Sequence, residues 1–276
     1  MSRPVAVYVH VPFCVVKCGY CDFNSYAMSG PIVERTVRAM IRQARESPWR
    51  GRPAETVFFG GGTPSLLDAS SLERILEAVL EAHPPTEGVE ITAEANPESA
   101  TLDKLRAMRS MGFNRVSIGV QSFDPTDLRR LDRAHGPEDA ERAARDARKA
   151  GFERLNLDLM FGLEDQTLEA WDRNLDRALG LEPDHLSLYN LTIEPGTRFE
   201  RLRREGRLNL PDDETQTAMY LRCAERLEPA GFRQYEISNY AKPGQECRHN
   251  VWVWRGGEYA AYGPGGVGCL EEDGAW

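Results

Sequence analysis

Three cysteines, Cys14, Cys18 and Cys21, lie close together near the start of the chain. They follow an apolar, strand-like segment, residues 5–11, with the spacing C-x3-C-x2-C. A structural zinc ion needs four ligands, and so does an iron–sulfur cluster that the protein ligates completely. Three thiolates on a [4Fe–4S] cluster would leave one iron open to a small molecule. A zinc knuckle completed by a distant His or Cys is the alternative, although this spacing is unusual for zinc pairs.

The composition limits the class of protein. A chain of 276 residues with 41% hydrophobic content can bury a sizeable core. Its net charge of -9 argues against a general affinity for nucleic acid or for anionic membranes. We find neither a signal peptide nor a transmembrane segment, although peripheral contact with a membrane stays open. Because six cysteines occur without an export signal, we expect reduced thiols, metal ligation and a cytoplasmic location.

Strand-like and helical segments alternate along the first 195 residues. The predicted strands are residues 5–11, 56–59, 89–95, 115–120, 154–160 and 185–191. The predicted helices between them are residues 32–46, 68–82, 101–111, 137–150 and 168–179. Gly112 and Gly151 each end a helix, where a positive φ is needed. The alternation indicates an α/β fold with a parallel sheet, as a six-stranded partial barrel or, alternatively, a flat doubly wound sheet.

The pattern changes after about Pro195. Residues 213–227 are typical of a helix, residues 234–238 of a short strand, and a Gly- and aromatic-rich tail follows. We therefore expect a core barrel of residues 1–195 and an extension of residues 196–276 that completes it. Because the chain stops at Trp276 with neither a helix cap nor a polar terminus, we expect it to be cut from a longer protein.

Polar residues and glycines follow the predicted strands. Ligands of parallel α/β folds bind at the carboxyl ends of strands. Residues 60–64, GGGTP, have a bare backbone that would let a ligand approach and leave amides exposed to it. Glu94 and Gln121 end two further strands, and Asp158 is explained better as a ligand-binding group than as a buried structural carboxylate. Arg133 would pair with a ligand carboxylate or, alternatively, be a solvated helix arginine.

Seven segments together resemble one family. They are YVHVPFCVVKCGYCDFNSY, FFGGGTPSLL, EANPE, RVSIGVQSF, LNLDLMFGLEDQT, LTIEPGT and CRHNVWVWRGGEYAAYGPG. In order and content they are similar to the radical SAM haem chaperones called HemW, relatives of the oxygen-independent coproporphyrinogen III oxidases. The resemblance runs from Tyr8 to about Gly268. It implies a radical SAM partial (β/α)6 barrel with a [4Fe–4S] cluster, S-adenosylmethionine (SAM) and haem as cofactors.

The resemblance also implies roles for individual residues. Cys14, Cys18 and Cys21 would ligate the cluster. The residues at the family's SAM positions are Tyr8, Gly61, Gly62, Thr63, Glu94, Gln121, Arg133 and Asp158. The oxidase relatives place a second SAM near Tyr20, Gly62, Thr63, Gln121, Arg133 and Asp158, and the resemblance leaves open whether this chain keeps that second site.

One feature near the cysteines separates the two branches of relatives. The oxidases carry a further cysteine two residues after the last ligand, whereas Cys21 is followed here by Asp22 and Phe23. In the oxidases, the radical formed from SAM starts the decarboxylation of porphyrinogen propionates. In the chaperone branch, cluster and SAM support haem binding and transfer to an acceptor protein. The resemblance therefore implies a haem chaperone, with the oxidase as the alternative.

A second feature concerns haem itself. The segment around His249 resembles the chaperones' H-N-x-x-Y-W motif, in which this imidazole would be an axial haem ligand and Trp252 and Trp254 would cover a porphyrin face. A histidine in an aromatic stretch is otherwise more often structural. This chain departs from the family pattern at two places. Val253 stands where a Tyr is expected, and residues 263–267, which end at Val267, lack the His with which the family's G-x-G-A-H segment closes.

The remaining histidines and cysteines belong to no motif. We expect His83, which precedes a proline, to face solvent. Cys223 and Cys269 are expected to be buried or incidental. His10 and His135 stay unassigned.

Overall fold

Six parallel strands form the centre of the sheet in the computed structural model, which describes residues 3–271. Trp276, on which the expectation of a cut chain rests, lies outside the described residues. The strands are β1 (Val5–Val11), β2 (Phe13–Cys14), β3 (Tyr26–Ala27), β4 (Ala54–Gly61), β5 (Pro85–Ala95), β6 (Arg115–Gln121), β7 (Arg154–Phe161), β8 (His185–Asn190), β9 (Arg233–Gln234), β10 (Asn239–Ala241) and β11 (Tyr259–Tyr262).

Helices connect the central strands, as the sequence predicts. They are α1 (Pro31–Arg45), α2 (Ala69–Ala82), α3 (Leu102–Met111), α4 (Pro125–Arg130), α5 (Pro137–Lys149), α6 (Leu168–Leu179), α7 (Arg198–Arg204), α8 (Asp213–Leu227) and α9 (Arg248–Trp254). Asp68 caps α2 by accepting a bond from the backbone N–H of Ser71 at 2.8 Å. Gly112 and Gly151 have φ angles of 110° and 90°, which confirms that each ends a helix. Within residues 3–271, no helix is both long and apolar enough to cross a bilayer.

The order of the strands decides between the two predicted architectures. Within the described residues the main sheet runs β11-β1-β4-β5-β6-β7-β8-β10-β9. Its six central strands are parallel and follow one another in chain order. A doubly wound sheet would reverse its strand order at a switch point, so that alternative is wrong. The sheet is singly wound. It stays open because β1 pairs with β11 and β8 pairs with β10, so β1 and β8 do not pair with each other. The partial barrel is confirmed.

The two faces of the central strands differ in polarity. Side chains alternate between the faces. The face packed against the helices is apolar and includes Val5, Val7, Val9, Val57, Phe59, Ile91, Ala93, Val116, Ile118, Leu155, Leu157, Leu186 and Leu188. The opposite face carries Tyr8, Thr56, Glu90, Glu94, Arg115, Ser117, Asn156, Asp158, His185 and Ser187. A (β/α) barrel is normally filled by branched apolar side chains, so this polar interior indicates space for a ligand.

The segments after residue 195 cover both edges of the central sheet. Helix α8 has the predicted bounds, 213–227. The predicted strand over 234–238 is wrong, because β9 ends at Gln234 and the chain turns back into β10. Glu236 stabilises this turn by accepting from the backbone N–H of Ser238 at 2.9 Å. Strand β10 then pairs antiparallel with β8, and β11 pairs parallel with β1.

Candidate functional site

A cavity of about 370 Å³, here called the outer cavity, lies at the carboxyl ends of the central strands. Its lining includes Cys14, Cys18, Tyr20, Cys21, Gly61, Gly62, Thr63, Glu94, Gln121, Arg133 and Asp158. The structure thus brings together every residue predicted for the cluster and for SAM except Tyr8. The side chain of Tyr8 lines a different cavity. Its hydroxyl is hydrogen-bonded to His10 Nδ1 at 3.1 Å.

The cysteine loop leaves the sheet directly after β1 and is anchored at several points. The Lys17 ammonium donates to the carbonyl oxygen of Phe23 at 2.8 Å and closes the loop. The carbonyl of Gly19 accepts from the backbone N–H of Phe199 at 3.0 Å, at the start of α7. The ring of Tyr20 packs against Phe199, with ring centroids 6.2 Å apart. A helix from beyond residue 195 therefore holds the loop that carries the three thiols.

The three thiols are free and half-buried, and two of them accept hydrogen bonds. The Thr63 hydroxyl lies 3.8 Å from the sulfur of Cys14, and Arg133 Nη1 lies 3.5 Å from the sulfur of Cys18. Burial raises the pKa of the Cys21 thiol. A guanidinium and a hydroxyl aimed at sulfur stabilise thiolates, which are the form that ligates a metal.

The arrangement of the thiols fits a cluster better than a single ion. Within residues 3–271, no group of three or more His, Cys, Asp and Glu side chains could hold one metal ion. The lining of the outer cavity holds neither a histidine nor a fourth cysteine to complete a zinc knuckle. The three thiols instead line one cavity together. Because each thiolate of a [4Fe–4S] cluster binds a different iron, its ligands must surround a volume, and this donor set fits that requirement.

The glycine loop after β4 is shaped by its own protein contacts. The backbone N–H groups of Gly61, Gly62 and Thr63 all donate within the protein. Gly62 donates to the carbonyl of Val11 at 2.7 Å, and Thr63 donates to that of Phe13 at 2.7 Å. The expectation that these amides are exposed to a ligand is therefore wrong. A Cβ on Gly62 would lie 2.6 Å from the carbonyl oxygen of Phe13, so glycine lets this loop pack against the cysteine segment.

Arg133 is fixed at the wall of the outer cavity. Its Nη2 donates to Asn96 Oδ1 at 2.7 Å and to the carbonyl of Gly119 at 2.8 Å. Because Nη1 also donates to Cys18, the solvated-helix alternative for Arg133 is wrong. Asn96 in turn donates to the hydroxyl of Thr63 at 3.0 Å. A continuous chain of hydrogen bonds thus links the strand ends to the cysteine loop.

Gln121 ends β6 in an unusual backbone conformation. Its φ is 65°, and the pairing of β6 with β7 shifts register between Gly119 and Gln121. Positive φ is uncommon for residues other than glycine, and bulges often re-aim side chains near ligand sites. This backbone conformation directs the side chain of Gln121 into the outer cavity, where it forms part of the lining.

Two carboxyl groups stand between the outer cavity and a second one. Burial and, next, the negative charge of Asp158 raise the pKa of Glu94 to about 8, so Glu94 holds a proton at neutral pH. Asp158 accepts from Ser117 Oγ at 2.9 Å and from Asn156 Nδ2 at 2.7 Å. Burial raises the pKa of Asp158 as well. Asp158 is therefore both a hydrogen-bonded structural group and part of a cavity wall.

The second cavity, here called the inner cavity, has a volume of about 420 Å³ and lies between the polar face of the sheet and α9. Its lining includes Tyr8, Phe58, Glu94, Arg115, Ser117, Asn156, Asp158, His185, Ser187, Tyr189, Asn239, His249, Asn250, Val253 and Trp254. The two cavities share Glu94, Asp158 and Tyr189. The inner cavity is thus the polar interior of the partial barrel.

A buried carboxylate holds α9 against the sheet. Glu90 accepts from the backbone N–H of His249 at 3.0 Å and from that of Arg248 at 3.2 Å, at the first turn of α9. The same carboxylate forms an ion pair with Arg154 at 2.9 Å. A negative charge at the N-terminus of a helix satisfies backbone donors that the helix itself cannot. Glu90 therefore positions the segment that closes the inner cavity.

Comparison with known proteins agrees with this geometry. Residues 8–178 match the Radical SAM superfamily. The chain is 43% identical to the haem chaperone HemW of Escherichia coli (strain K12), over 96% of this chain and 69% of that protein. It is 37% identical to the HemW of Bacillus subtilis (strain 168), over 96% of this chain and 71% of that protein. The chain belongs to the HemW family of the radical SAM superfamily. The resemblance seen in the motifs is confirmed.

A solved structure shows the same architecture. The coproporphyrinogen III oxidase HemN of Escherichia coli, a radical SAM enzyme, matches 98% of this chain with a TM-score of 0.84 and 25% sequence identity. This chain spans 65% of the length of that oxidase chain. The barrel and the segments that cover its edges are therefore shared between this chain and the oxidase.

The residues of the HemW-like haem motif do not share one surface. The His249 ring is buried, and the Phe58 ring covers it at a centroid distance of 5.1 Å. Trp252 donates its indole N–H to the carbonyl of Glu258 at 2.9 Å, whereas the indole of Trp254 is half exposed. Residues two positions apart lie on opposite sides of a helix. The expectation that the two tryptophans cover one porphyrin face is therefore wrong.

The imidazole of His249 is held by one nitrogen only. Its Nδ1 is hydrogen-bonded to the hydroxyl of Thr56 at 2.9 Å. No hydrogen bond joins Nε2 to any residue from 3 to 271. Burial and, next, the charge of Arg115 lower the pKa of His249 to about 3, so the ring is neutral at physiological pH.

Sequence reasoning missed part of the outer cavity. The lining residues that no prediction assigns include Asn96, Met160, Tyr189, Thr192 and Glu194. Tyr189 lies at the carboxyl end of β8, and Thr192 and Glu194 lie in the loop after it, so the strand-end rule applied to the sixth strand would have found them. Asn96 lies in one of the quoted motifs, and its role becomes visible only through its contact with Arg133.

Other unassigned residues have structural roles. His83 is fully buried and is hydrogen-bonded to the hydroxyl of Tyr262 at 2.6 Å, so the expectation that it faces solvent is wrong. His10 Nε2 is hydrogen-bonded to the carbonyl of Asn24 at 2.9 Å and ties β1 to the cysteine loop. Cys223 is buried, as expected.

Proposed function

We propose that this chain is a radical SAM haem chaperone. In this proposal Cys14, Cys18 and Cys21 hold a [4Fe–4S] cluster and the outer cavity binds SAM. The observation that carries the proposal is the convergence of three free thiols and the strand-end residues on one cavity. When both are bound, the cluster would supply one electron to SAM.

The chain's own residues would prepare this cavity for its ligands. Arg133 and Thr63 aim donors at two of the three sulfurs, which favours the thiolate form. Gln121 adds an amide to the same lining and would donate to the carboxylate of SAM. Asp158 offers a carboxylate to the amino group or to the ribose hydroxyls of SAM. Tyr8 would act indirectly, since its contact with His10 leads to the cysteine loop.

The haem function follows from family membership and from the residues after the cysteine triad. Asp22 and Phe23 occupy the place of the additional cysteine of the oxidases, so we do not expect oxidation of coproporphyrinogen III. The relatives named above are haem chaperones, and this chain would likewise deliver haem to an acceptor protein. Reduced thiols favour a cytoplasmic location for this task.

His249 is our candidate for an axial haem ligand. A neutral imidazole with one nitrogen fixed by a hydrogen bond is the usual form of a ligating histidine. Thr56 fixes Nδ1 and leaves Nε2 for iron. Because the ring is buried beneath Phe58, haem would reach it only after α9 has moved away from β4.

Anaerobic reconstitution tests the cluster. We expect about four iron and four sulfide ions per chain, a brown chromophore and bound haem after haem addition. Replacing Cys14, Cys18 or Cys21 by Ala removes the chromophore. Cys269→Ala, a half-buried cysteine outside the outer cavity, is the matched control and keeps it. Stoichiometric zinc with no reconstituted cluster would contradict the proposal.

Titration with SAM tests the rest of the outer cavity. If SAM binds beside the cluster, its addition should change the EPR spectrum of the reduced cluster in the unsubstituted protein. Asp158→Asn weakens this response and retains the cluster, since Asp158 is not a thiolate ligand. A response that is identical in Asp158→Asn and the unsubstituted protein removes Asp158 from the SAM site. Turnover of coproporphyrinogen III with SAM and reductant would assign the oxidase activity instead.

A further inference from the structure

The inner cavity contains a buried cation that has neither a hydrogen-bond nor an ion-pair partner among residues 3–271. Arg115 begins β6 on the polar face of the sheet, and only 2% of its surface is exposed. Its guanidinium forms neither a hydrogen bond nor an ion pair with any residue from 3 to 271. Burial opposes its charge, yet Cys247, Glu90 and other nearby groups outweigh burial and raise its pKa. Arg115 is therefore a charged group that lines a cavity with its donors unused.

The carboxylates near Arg115 are already engaged. Glu90 accepts from two backbone N–H groups of α9 and pairs with Arg154. Asp158 accepts from Ser117 and Asn156. Buried N–H donors without acceptors destabilise a fold, and arginine is the side chain whose planar fork suits carboxylates and phosphates. The unused fork therefore indicates an anionic ligand that the cavity receives from outside.

The surroundings of Arg115 favour a carboxylate over a phosphate. Asp158 lines the same cavity, and its negative charge would repel a dianion more strongly than a monoanion. Ser117, Asn156 and Asn239 add neutral polar groups to the lining. The Oδ1 atom of Asn239 is buried and has no partner among the described residues, so it can accept from a polar group of a ligand. The charge balance suits one carboxylate, bound by two parallel hydrogen bonds.

Part of the lining of the inner cavity is apolar. This part consists of the rings of Tyr8, Phe58 and Trp254 and the side chain of Val253. A ligand with a carboxylate and an apolar body matches both the charged and the apolar parts of the lining. We propose that the inner cavity binds an organic monocarboxylate, or a carboxylate arm of a larger molecule, through the guanidinium of Arg115.

Calorimetric titration of the full chain tests this site, with 3-phenylpropionate as the probe. We expect saturable binding of the acid and at least tenfold weaker binding of 3-phenylpropanamide, which has the same shape without the charge. Inorganic phosphate does not compete with the acid. Acid and amide that bind alike, an acid that shows no saturable binding, or competition by phosphate would each overturn the proposal. This comparison needs no substituted protein.

Substitution of the arginine then locates the site. Arg115→Gln weakens binding of the acid at least tenfold, and Arg115→Lys gives an intermediate loss because it keeps the charge without the fork. Arg38→Gln, on the exposed side of α1, is the matched control and binds as the unsubstituted protein does. Unchanged affinity in a folded Arg115→Gln protein overturns the proposal. If that variant does not fold, Arg115→Lys and the acid–amide comparison decide.

A second titration distinguishes two sources of the carboxylate. One source is a propionate arm of haem, which rests on the proposed haem function, and the other is a separate small acid. If haem loses affinity tenfold both on methyl esterification of its propionates and on Arg115→Gln, the arm belongs to haem. If neither change affects haem affinity, and binding of 3-phenylpropionate still depends on Arg115, the carboxylate belongs to a separate acid. Cluster and SAM content, measured in the same variants, keep failure of this site distinct from failure of the proposed function.

Discussion

The outer and inner cavities share a wall, but their buried arginines differ in the hydrogen bonds that they make. In the outer cavity, Arg133 donates to Asn96, to the carbonyl of Gly119 and to the sulfur of Cys18. In the inner cavity, the guanidinium of Arg115 has no hydrogen-bond or ion-pair partner among residues 3–271. The guanidinium of Arg133 is bound within the protein and helps to form the outer cavity, whereas that of Arg115 is available to a ligand. The difference shows that a charged residue facing a cavity has to be judged by its bonds.

The two cavities also differ in the parts of the chain that form them. The outer cavity consists of loops that follow strand ends, with the cysteine loop anchored at Gly19 and Tyr20. The inner cavity is lined by side chains on the polar face of the strands and is closed by α9, which is held through Glu90. Substitutions at Glu90, Glu94 and Trp254 therefore test how far the two cavities are independent.

The largest effect is expected at Glu90. Glu90→Gln removes the charge that pairs with Arg154, so an uncompensated cation stays buried and the free energy of unfolding should fall by about 3–5 kcal/mol. Urea unfolding followed by circular dichroism measures this loss. Glu55→Gln is the matched control, because its ion pair with Arg248 is partly exposed and should contribute at most about 1 kcal/mol.

The comparison between the cavities sharpens this test. The Glu90→Gln protein that remains folded should still reconstitute its cluster, since none of the contacts of Glu90 reaches the cysteine loop. Equal losses of stability in Glu90→Gln and Glu55→Gln would show that Glu90 does not hold α9. Loss of the cluster in a folded Glu90→Gln protein would show that the two cavities are coupled.

Glu94 is expected to have a smaller effect, which is a change in the free energy of unfolding with pH. Its pKa of about 8 in the folded protein exceeds that of an ordinary glutamate, so the folded state retains a proton that the unfolded state releases. The stabilisation is complete below the unfolded pKa and is lost as the pH rises through about 8. The slope is at most about 1.4 kcal/mol per pH unit. Glu94→Gln should flatten it in urea unfolding between pH 5 and 8.

Glu258 provides a control of opposite sign. Its hydrogen bond to Arg52 lowers its pKa to about 2, so its stabilisation is present above the unfolded pKa and is lost as the pH falls. Glu258→Gln should therefore lower the free energy of unfolding by a constant amount between pH 5 and 8 and change its pH dependence only in acid. If Glu94→Gln leaves the pH dependence of the free energy of unfolding unchanged between pH 5 and 8, Glu94 is ionised in the folded protein. The wall between the cavities would then carry two negative charges.

The smallest effect is expected at the edge of the inner cavity. Trp254 is half exposed and contacts the ring of Tyr235 at a centroid distance of 6.1 Å. Trp254→Ala should weaken haem binding by about 1 kcal/mol, as expected for one aromatic contact, whereas His249→Ala should remove most of the affinity. Haem titration followed by absorbance measures both. Equal effects of the two substitutions would remove His249 from the haem site.

The sequence by itself determined the outer cavity to a large extent. Alternating strands and helices predict a parallel sheet, and parallel strands bring their carboxyl ends to the same edge. Glu94, Gln121 and Asp158 could therefore be placed together without coordinates, and the spacing of the cysteines added the cluster. What the pattern could not show is that the amides of the glycine loop donate hydrogen bonds within the protein, since their acceptors lie on three other strands.

The inner cavity was decided by the tertiary structure. Arg115 is only the first residue of a strand in the sequence, and His249 is only part of a motif. The contact between Glu90 and His249 joins residues that are 159 positions apart, and it depends on where α9 packs. Local periodicity fixes which face of a strand a side chain occupies, but it does not specify which distant segment covers that face. For that physical reason, the free charge of Arg115 and the burial of His249 become visible only in the folded chain.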